Sequence, residues 1–254
     1  MWSGGKDSAL ALQRARSAGL EVRCLINFFD AASGRVRFHA SRVELLQAQA
    51  DALGVELRAI GTAWAEMEGR LQTELARLRE EGFAGVIVGD IHLADVRAWY
   101  EERVTAAGLE HLEPIWGESP TALVREFVET GGRAVITCVD LSRLDPAWLG
   151  RIVDERFPDE IGATGIDPCG ENGEYHSFAF QGPMFDHPVG WRLGETRADS
   201  RFSQLDILRP PSSRSANGGP GVVDWSDWLP EGLPGLPHSS DARPGPTKMP
   251  DVDQ

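Results

Sequence analysis

Ser3-Gly4-Gly5-Lys6-Asp7-Ser8 is the stretch that decides the fold. Two adjacent glycines stand between hydroxyl residues and run directly into a helical pattern of Ala9, Leu10, Leu12 and Ala15. Such a loop can curl its backbone N–H groups around an anion at the positive end of a helix. Glycine lets the backbone approach a phosphate closely, Ser3 and Ser8 add hydroxyl donors, and Lys6 adds a point charge. The spacing of the common NTPase loop, G-x-x-x-x-G-K-S/T, is absent, because here the glycines are adjacent and the lysine follows at once. A glycine turn before a capped helix uses the same residues; the attached Lys-Asp-Ser favours the anion reading. As a loop residue, Lys6 is expected at the surface, where its loss costs within roughly 0.5 kcal/mol.

Outward from this loop, short apolar runs alternate with amphipathic ones. Val22 to Phe29 and Val55 to Ile60 read as strands, separated by a helical face of Val43, Leu46, Ala50 and Leu53. Trp64, Met67, Leu71, Leu75 and Leu78 form the next helical stripe, and Val86 to Val88 a short apolar strand ending at Gly89-Asp90. Helices are expected near Asp95 to Ala107 and Thr121 to Glu129, and a strand at Ala134 to Val139. Apolar strands alternating with helices predict an α/β fold with a doubly wound parallel sheet, Rossmann-like. Ligands of such sheets sit at the carboxyl ends of the strands, where both the loop and Gly89-Asp90 would lie. Only Met1 and Trp2 precede Ser3, so the leading strand is nearly missing and the natural start is expected upstream of Met1.

From Leu141 the pattern changes. Trp148 to Phe157 reads as a helix, a glycine-rich stretch follows, and Phe178 to Phe180 and Arg201 to Leu208 read as strands of a small α+β unit. The expected division is 1–140, 141–209 and a Pro/Gly-rich tail at 210–254 with too few apolar residues to offset its ordering entropy. Trp64, Trp99 and Trp148 are assigned to helix packing.

The net charge of -14 disfavours nonspecific nucleic-acid binding. No apolar run approaches the roughly 20 residues that span a bilayer, and no signal peptide is read. Three cysteines without C-x-x-C spacing argue against a disulfide framework or zinc site and fit the cytoplasm. Lys6 and Lys248 are the only lysines; this arginine bias reads as the codon composition of a GC-rich, bacterial genome. A homodimer is left open.

The second dense cluster is Asp167-Pro168-Cys169-Gly170-Glu171-Asn172-Gly173-Glu174-Tyr175-His176-Ser177. Two carboxylates and an imidazole lie within six positions, between glycines that allow a tight turn. They could hold Mg²⁺, position an amine or move protons; a solvated turn before a strand has the same composition.

The Ser3–Ser8 run looks like the pyrophosphatase loop of the adenine nucleotide alpha-hydrolase-like (HUP) superfamily. Together, the two clusters make the chain resemble the diphthine–ammonia ligase family from about Trp2 to Leu208. The likeness extends to Phe38-His39, Gly89-Asp90-Ile91 with Arg97 downstream, Pro114-Ile115-Trp116-Gly117 and Gly182-Pro183-Met184-Phe185. It implies ATP-dependent amidation: a substrate carboxylate attacks the α-phosphate, pyrophosphate leaves, and ammonia displaces AMP. The resemblance makes residues 1–140 the ATP-binding domain and 141–209 the substrate-binding unit. It implies that Ser3, Gly4, Gly5, Lys6, Asp7 and Ser8 hold the pyrophosphate side, with Asp7 orienting Mg²⁺, and that Gly89, Asp90 and His39 line the nucleotide cleft. Lys6, Asp7, Glu171, Glu174 and His176 are the implied catalytic residues, and Arg97, Asn172, Gly173 and Tyr175 the implied substrate contacts. His39 is otherwise a packing residue, and Arg97 a solvated one. A helix cysteine common in the family near Thr105 is absent here.

The implied partners are ATP, free ammonia and a carboxylate on a protein side chain or a small metabolite. Diphthine occurs on the translation elongation factor of archaea and eukaryotes, so a bacterial member would amidate another carboxylate. The competing readings are an ATP pyrophosphatase acting on tRNA or a small metabolite, and a non-catalytic adenine-nucleotide-binding protein.

Overall fold

The computed structural model describes residues 1–211, and most of the expected tail at 210–254 lies outside them. Helix α1 (Lys6–Ser17) leaves the loop directly and buries Ala9, Leu10, Ala11, Leu12 and Ala15. Asp7 in its first turn and Arg14 and Arg16 in its last complement the helix dipole. Strand β1 (Cys24–Asp30) makes a short antiparallel pair with β2 (Arg35–Val36) and a parallel pair with β3 (Glu56–Thr62). The crossover is α2 (Val43–Leu53), ended by Gly54 in the left-handed conformation. Helix α3 (Met67–Glu80) buries Leu71, Leu75 and Leu78. Strands β4 (Gly85–Ile87) and β5 (Glu110–Leu112) form a second parallel pair across α4 (Ala94–Ala106).

The doubly wound parallel sheet is not continuous. The two parallel pairs are separate sheets, and Met1 and Trp2 stand in the gap between them. Trp2 N–H donates to Ile26 O at 2.8 Å, Asn27 Nδ2 donates to Trp2 O at 2.8 Å, and the Met1 ammonium reaches Ile87 O. A cavity of about 80 Å³ lies between Cys24–Ile26 and Gly85–Ile87.

A second correction concerns Ala134 to Val139. After α5 (Pro120–Glu129), these residues form β6 (Arg133–Asp140), which joins an antiparallel sheet rather than the parallel one. Its neighbours are β7 (Ile152–Val153), β8 (Tyr175–Gln181) and β10 (Phe202–Leu208), with β9 (Arg192–Ala198) at the edge. A fully apolar run reads alike for either pairing when both faces are buried; here β6 is buried along nearly its whole length.

The helix expected from Trp148 to Phe157 is also absent. A 3₁₀ turn at Pro146–Trp148 gives way to β7, and only then does α6 (Phe157–Gly162) begin. Gly150, at φ 79°, turns the chain back so that its N–H bonds Ile136 O, and Asp154 accepts the Arg156 and Phe157 N–H groups at the start of α6.

The halves share one core, running from Trp2, Leu10 and Leu46 to Phe178 and Ile207. Ala179 N–H donates to Gly4 O at 2.8 Å, so β8 lies directly against the loop. Buried Gln49 ties the junction: its Nε2 donates to Gly4 O at 2.9 Å and Ala179 O at 2.6 Å, while its Oε1 accepts from the Trp2 indole at 2.8 Å.

Candidate active site

The loop is shaped by what surrounds it. Gly4 has φ 82°, and a Cβ there would lie 2.8 Å from Gln49 Oε1. A Cβ on Gly5 would lie 2.9 Å from His39 Cε1 and 3.1 Å from Ser177 O, and one on Gly89 would lie 3.1 Å from Ser8 N. At all three positions a side chain would press on a close neighbour. Ser3 Oγ and Ser8 Oγ are 3.2 Å apart, and Ser8 Oγ donates to Gly5 O at 3.0 Å. Gly5 is the N-cap of α1; its own N–H donates to Ser3 Oγ and the Lys6 N–H to Ser177 Oγ, each at 3.3 Å, and the positive end of the helix dipole faces the loop.

Lys6 is not on the surface. It is 2% exposed, with Nζ 2.9 Å from both Asp7 oxygens, bonded to Cys169 O, and 5.0 Å from the centre of the Tyr175 ring. Burial opposes its charge, but Asp7, Tyr175 and Cys169 outweigh that and hold the ammonium well above the usual lysine range. Tyr175 Oη in turn donates to Pro168 O at 2.7 Å, and Lys6 N–H donates to Ser177 Oγ at 3.3 Å. The lone loop lysine thus fastens the second motif onto the first, across 163 positions of chain.

On the neighbouring side, Glu171 Oε1 accepts the Ile91 N–H at 2.8 Å. Burial pushes Glu171 up to about 7, and the Asp7 and Asp90 charges add to the rise. Asp90 is raised to about 6, mainly by burial and further by Asp7. Its Oδ2 is buried with no hydrogen-bond partner among the described residues. Glu174 is buried deeper: its Oε1 accepts from Arg143 at 3.1 Å and Asn172 Nδ2 at 3.2 Å. Gly173, at φ 85°, makes the turn between them.

His39 Nδ1 lies 3.0 Å from Ser177 O. A carbonyl only accepts, so Nδ1 carries the proton and Nε2 keeps its lone pair. The His176 ring is centred 4.7 Å from the His39 ring. Burial lowers both imidazoles, His176 well below the usual range, with His39 and Lys6 lowering it further. Both are neutral at neutral pH.

A cleft of about 820 Å³ opens beside this group, lined by Ser3, Ser8, His39, Gly89 and Asp90. The structure therefore brings Ser3 and Ser8 of the loop, Gly89-Asp90 and His39 to one cleft, whereas Lys6, Asp7, Glu171, Glu174, Tyr175 and His176 do not line it. Arg97 is elsewhere. Its Nε is 3.0 Å from Glu113 and its guanidinium stacks 4.6 Å from the centre of the Trp116 ring. Glu113 is pushed to about 7 by burial although Arg97 pulls it down, and neither of its oxygens makes a well-directed hydrogen bond among the described residues. No three His, Cys, Asp or Glu side chains among the described residues are grouped to hold a metal ion.

Gln49 and Ser177 escaped sequence reasoning as site residues. Gln49 carried a signal: it stands at a helical position otherwise apolar, with Leu45, Leu46, Ala52 and Leu53 buried around it. Trp64 was misassigned. It precedes α3 in a 3₁₀ turn and is 68% exposed, at the mouth of the cleft rather than in helix packing.

Two family models match the chain in tandem: the diphthamide synthase N-terminal domain over residues 1–111 and the diphthamide synthase C-terminal domain over residues 119–206. Among characterised proteins, the chain is 28% identical over 237 residues to the diphthine–ammonia ligase of Bos taurus, covering 82% of this chain and 88% of that one. The Homo sapiens diphthine–ammonia ligase is 26% identical over 212 residues, covering 74% and 79%. The Danio rerio protein of the same name is 28% identical over 240 residues, covering 82% and 91%. Tandem matches to both domains, with relatives aligned along most of their own length, make this chain a member of the diphthine–ammonia ligase family.

Proposed function

We propose that this chain is an ATP-dependent carboxylate–ammonia ligase that adenylates its substrate, releases pyrophosphate and forms an amide. One observation carries the reading: Lys6 locks the anion-type loop and the Glu171–His176 motif together beside a single cleft. In the first step a substrate carboxylate oxygen bonds the α-phosphorus as the bond to the β-phosphate oxygen breaks. The N-terminal end of α1 and the Ser3 and Ser8 hydroxyls receive the leaving pyrophosphate. In the second step ammonia bonds the acyl carbon, the bond to AMP breaks, and the nitrogen gives up a proton. The lone pair of His39 Nε2 on the cleft wall, and Glu171, poised near neutrality beside Asp90 and Asp7 though not itself lining the cleft, are the acceptors. Glu174, held by Arg143 and Asn172, positions the turn.

The unpartnered Asp90 Oδ2 and the nearby Asp7 fit a Mg²⁺ carried in on the phosphates, which uses one or two carboxylates rather than a protein cage. When bound, it would neutralise charge on the pyrophosphate.

The test is product analysis with a diphthine-bearing elongation factor and a panel of small carboxylates, each with ATP and ammonium. AMP and pyrophosphate formed in step with an amide are expected; ADP and phosphate would refute the proposal.

A further inference from the structure

We infer that Phe38 and Trp64 form the wall on which the purine base of the nucleotide stacks; this rests on the nucleotide reading above and assigns its base subsite. The strongly exposed large apolar residues among the described ones are Leu20, Phe38, Trp64, Leu141 and Leu193, and only two of these are aromatic. Those two meet. Phe38, 55% exposed, lies edge-on to Trp64 with ring centres 6.4 Å apart, and both line the cleft that holds Ser3, Ser8 and Asp90.

The backbone is bent to present them. Phe38 at φ 65° and Ala40 at φ 57° are the non-glycine residues in the left-handed region among those described. A bulky side chain rarely adopts that conformation, and such outliers collect at ligand sites. The bend leaves Phe38 exposed while His39 packs against Gly5 of the loop and bonds Ser177 O. Phe38 is therefore one residue from a side chain that touches the phosphate loop, within reach of a base whose phosphates lie there. The indole is steadied from its own side: Arg37, bonded to Thr62, sits 5.5 Å from the centre of the Trp64 ring.

The acyl substrate is the other conceivable occupant of these rings. Glu171, Asn172 and Glu174 are not among the residues lining this cleft, whereas Ser3 and Ser8 are. Of the second motif, His176 reaches the wall, its ring centred 5.9 Å from that of Phe38, while the cleft the wall lines is the one that holds Ser3 and Ser8 of the phosphate loop. A flat, polarisable base gains from aromatic faces in edge and stacked arrangements.

Calorimetric titration of the full chain with ATP and, separately, with pyrophosphate tests the assignment in Trp64→Ala, Trp64→Phe and Phe38→Ala. Stacking on one aromatic side chain is worth about 1–3 kcal/mol per base, a factor of roughly 5 to 150 in affinity. Trp64→Ala and Phe38→Ala are expected to weaken ATP about fivefold or more, while Trp64→Phe stays within about threefold of the natural chain. Pyrophosphate affinity should be unchanged in all three. ATP affinity unaltered in both alanine variants overturns the inference. So does a parallel loss of ATP and pyrophosphate, which would mean a disturbed loop. If the natural chain binds pyrophosphate but not ATP, the base subsite alone falls; if it binds neither, the nucleotide reading falls with it.

Discussion

Replacing Lys6 by methionine separates a surface loop lysine from a structural clamp. The substitution keeps an unbranched apolar stem beside the Tyr175 ring and removes the ammonium. It deletes an ion pair with both Asp7 oxygens at 2.9 Å and the bond to Cys169 O. Breaking a buried ion pair costs about 3–5 kcal/mol when the remaining charge stays buried. The Asp7 side chain is 27% exposed and can regain water, which lowers the penalty. The Cys169 carbonyl loses a charged donor, worth about 1.5–3 kcal/mol, and removing the desolvated ammonium offsets part of the sum. The net expectation is a loss of about 2–3 kcal/mol. For a chain of this size that lowers Tm by roughly 4–12 °C. Urea unfolding followed by tryptophan fluorescence, beside a thermal melt, measures it. A loss below about 0.5 kcal/mol, the range of ordinary surface changes, would refute the clamp and restore the loop-surface expectation.

Glu171→Gln keeps an acceptor for the Ile91 N–H but removes a carboxyl that burial raises from 4.5 to about 7. A carboxyl raised in the fold contributes stability below its unfolded value and loses it as pH rises through the folded value. The variant should therefore gain on the natural chain by about 3 kcal/mol between pH 4.5 and pH 7; denaturation midpoints that shift in parallel across that window would contradict the assignment. Gly5→Ala forces a methyl to within 2.9 Å of His39 Cε1 and 3.1 Å of Ser177 O, and should cost about 1–3 kcal/mol. Gly69→Ala, inside α3 with nothing within 4 Å of the added carbon, should instead stabilise by about 0.5–1 kcal/mol; equal effects in the two variants would show that crowding at Gly5 is not the cause.

What was legible in the sequence was local. The apolar periodicity of Leu71, Leu75 and Leu78 marked α3, and the run Val22 to Phe29 marked β1, which begins at Cys24, because Leu25 to Phe28 and the helix stripe are buried by their own element's face. The two motifs were visible as composition. Their meeting was not, because it depends on a lysine that reads as exposed until a carbonyl 163 positions away is placed beside it. Strand β9 was unreadable because it is an edge strand of Arg, Glu and Thr, exposed along nearly its whole length, and carries no alternation. Trp64 fell on the helical stripe by spacing, yet α3 starts three residues later at Met67, so the indole swings out to the cleft. Arg97 could not be placed from sequence, since its partners Glu113 and Trp116 come from beyond the next strand.

The central claim is that one cleft serves both adenylation and amidation. Its most direct test is the fate of an oxygen. A substrate carboxylate labelled with heavy oxygen, turned over with ATP and ammonium, should deliver one labelled oxygen to AMP and leave the other in the amide, because the carboxylate oxygen bonds the α-phosphorus before ammonia displaces it. Unlabelled AMP, or label appearing in inorganic phosphate alongside ADP, would contradict the account.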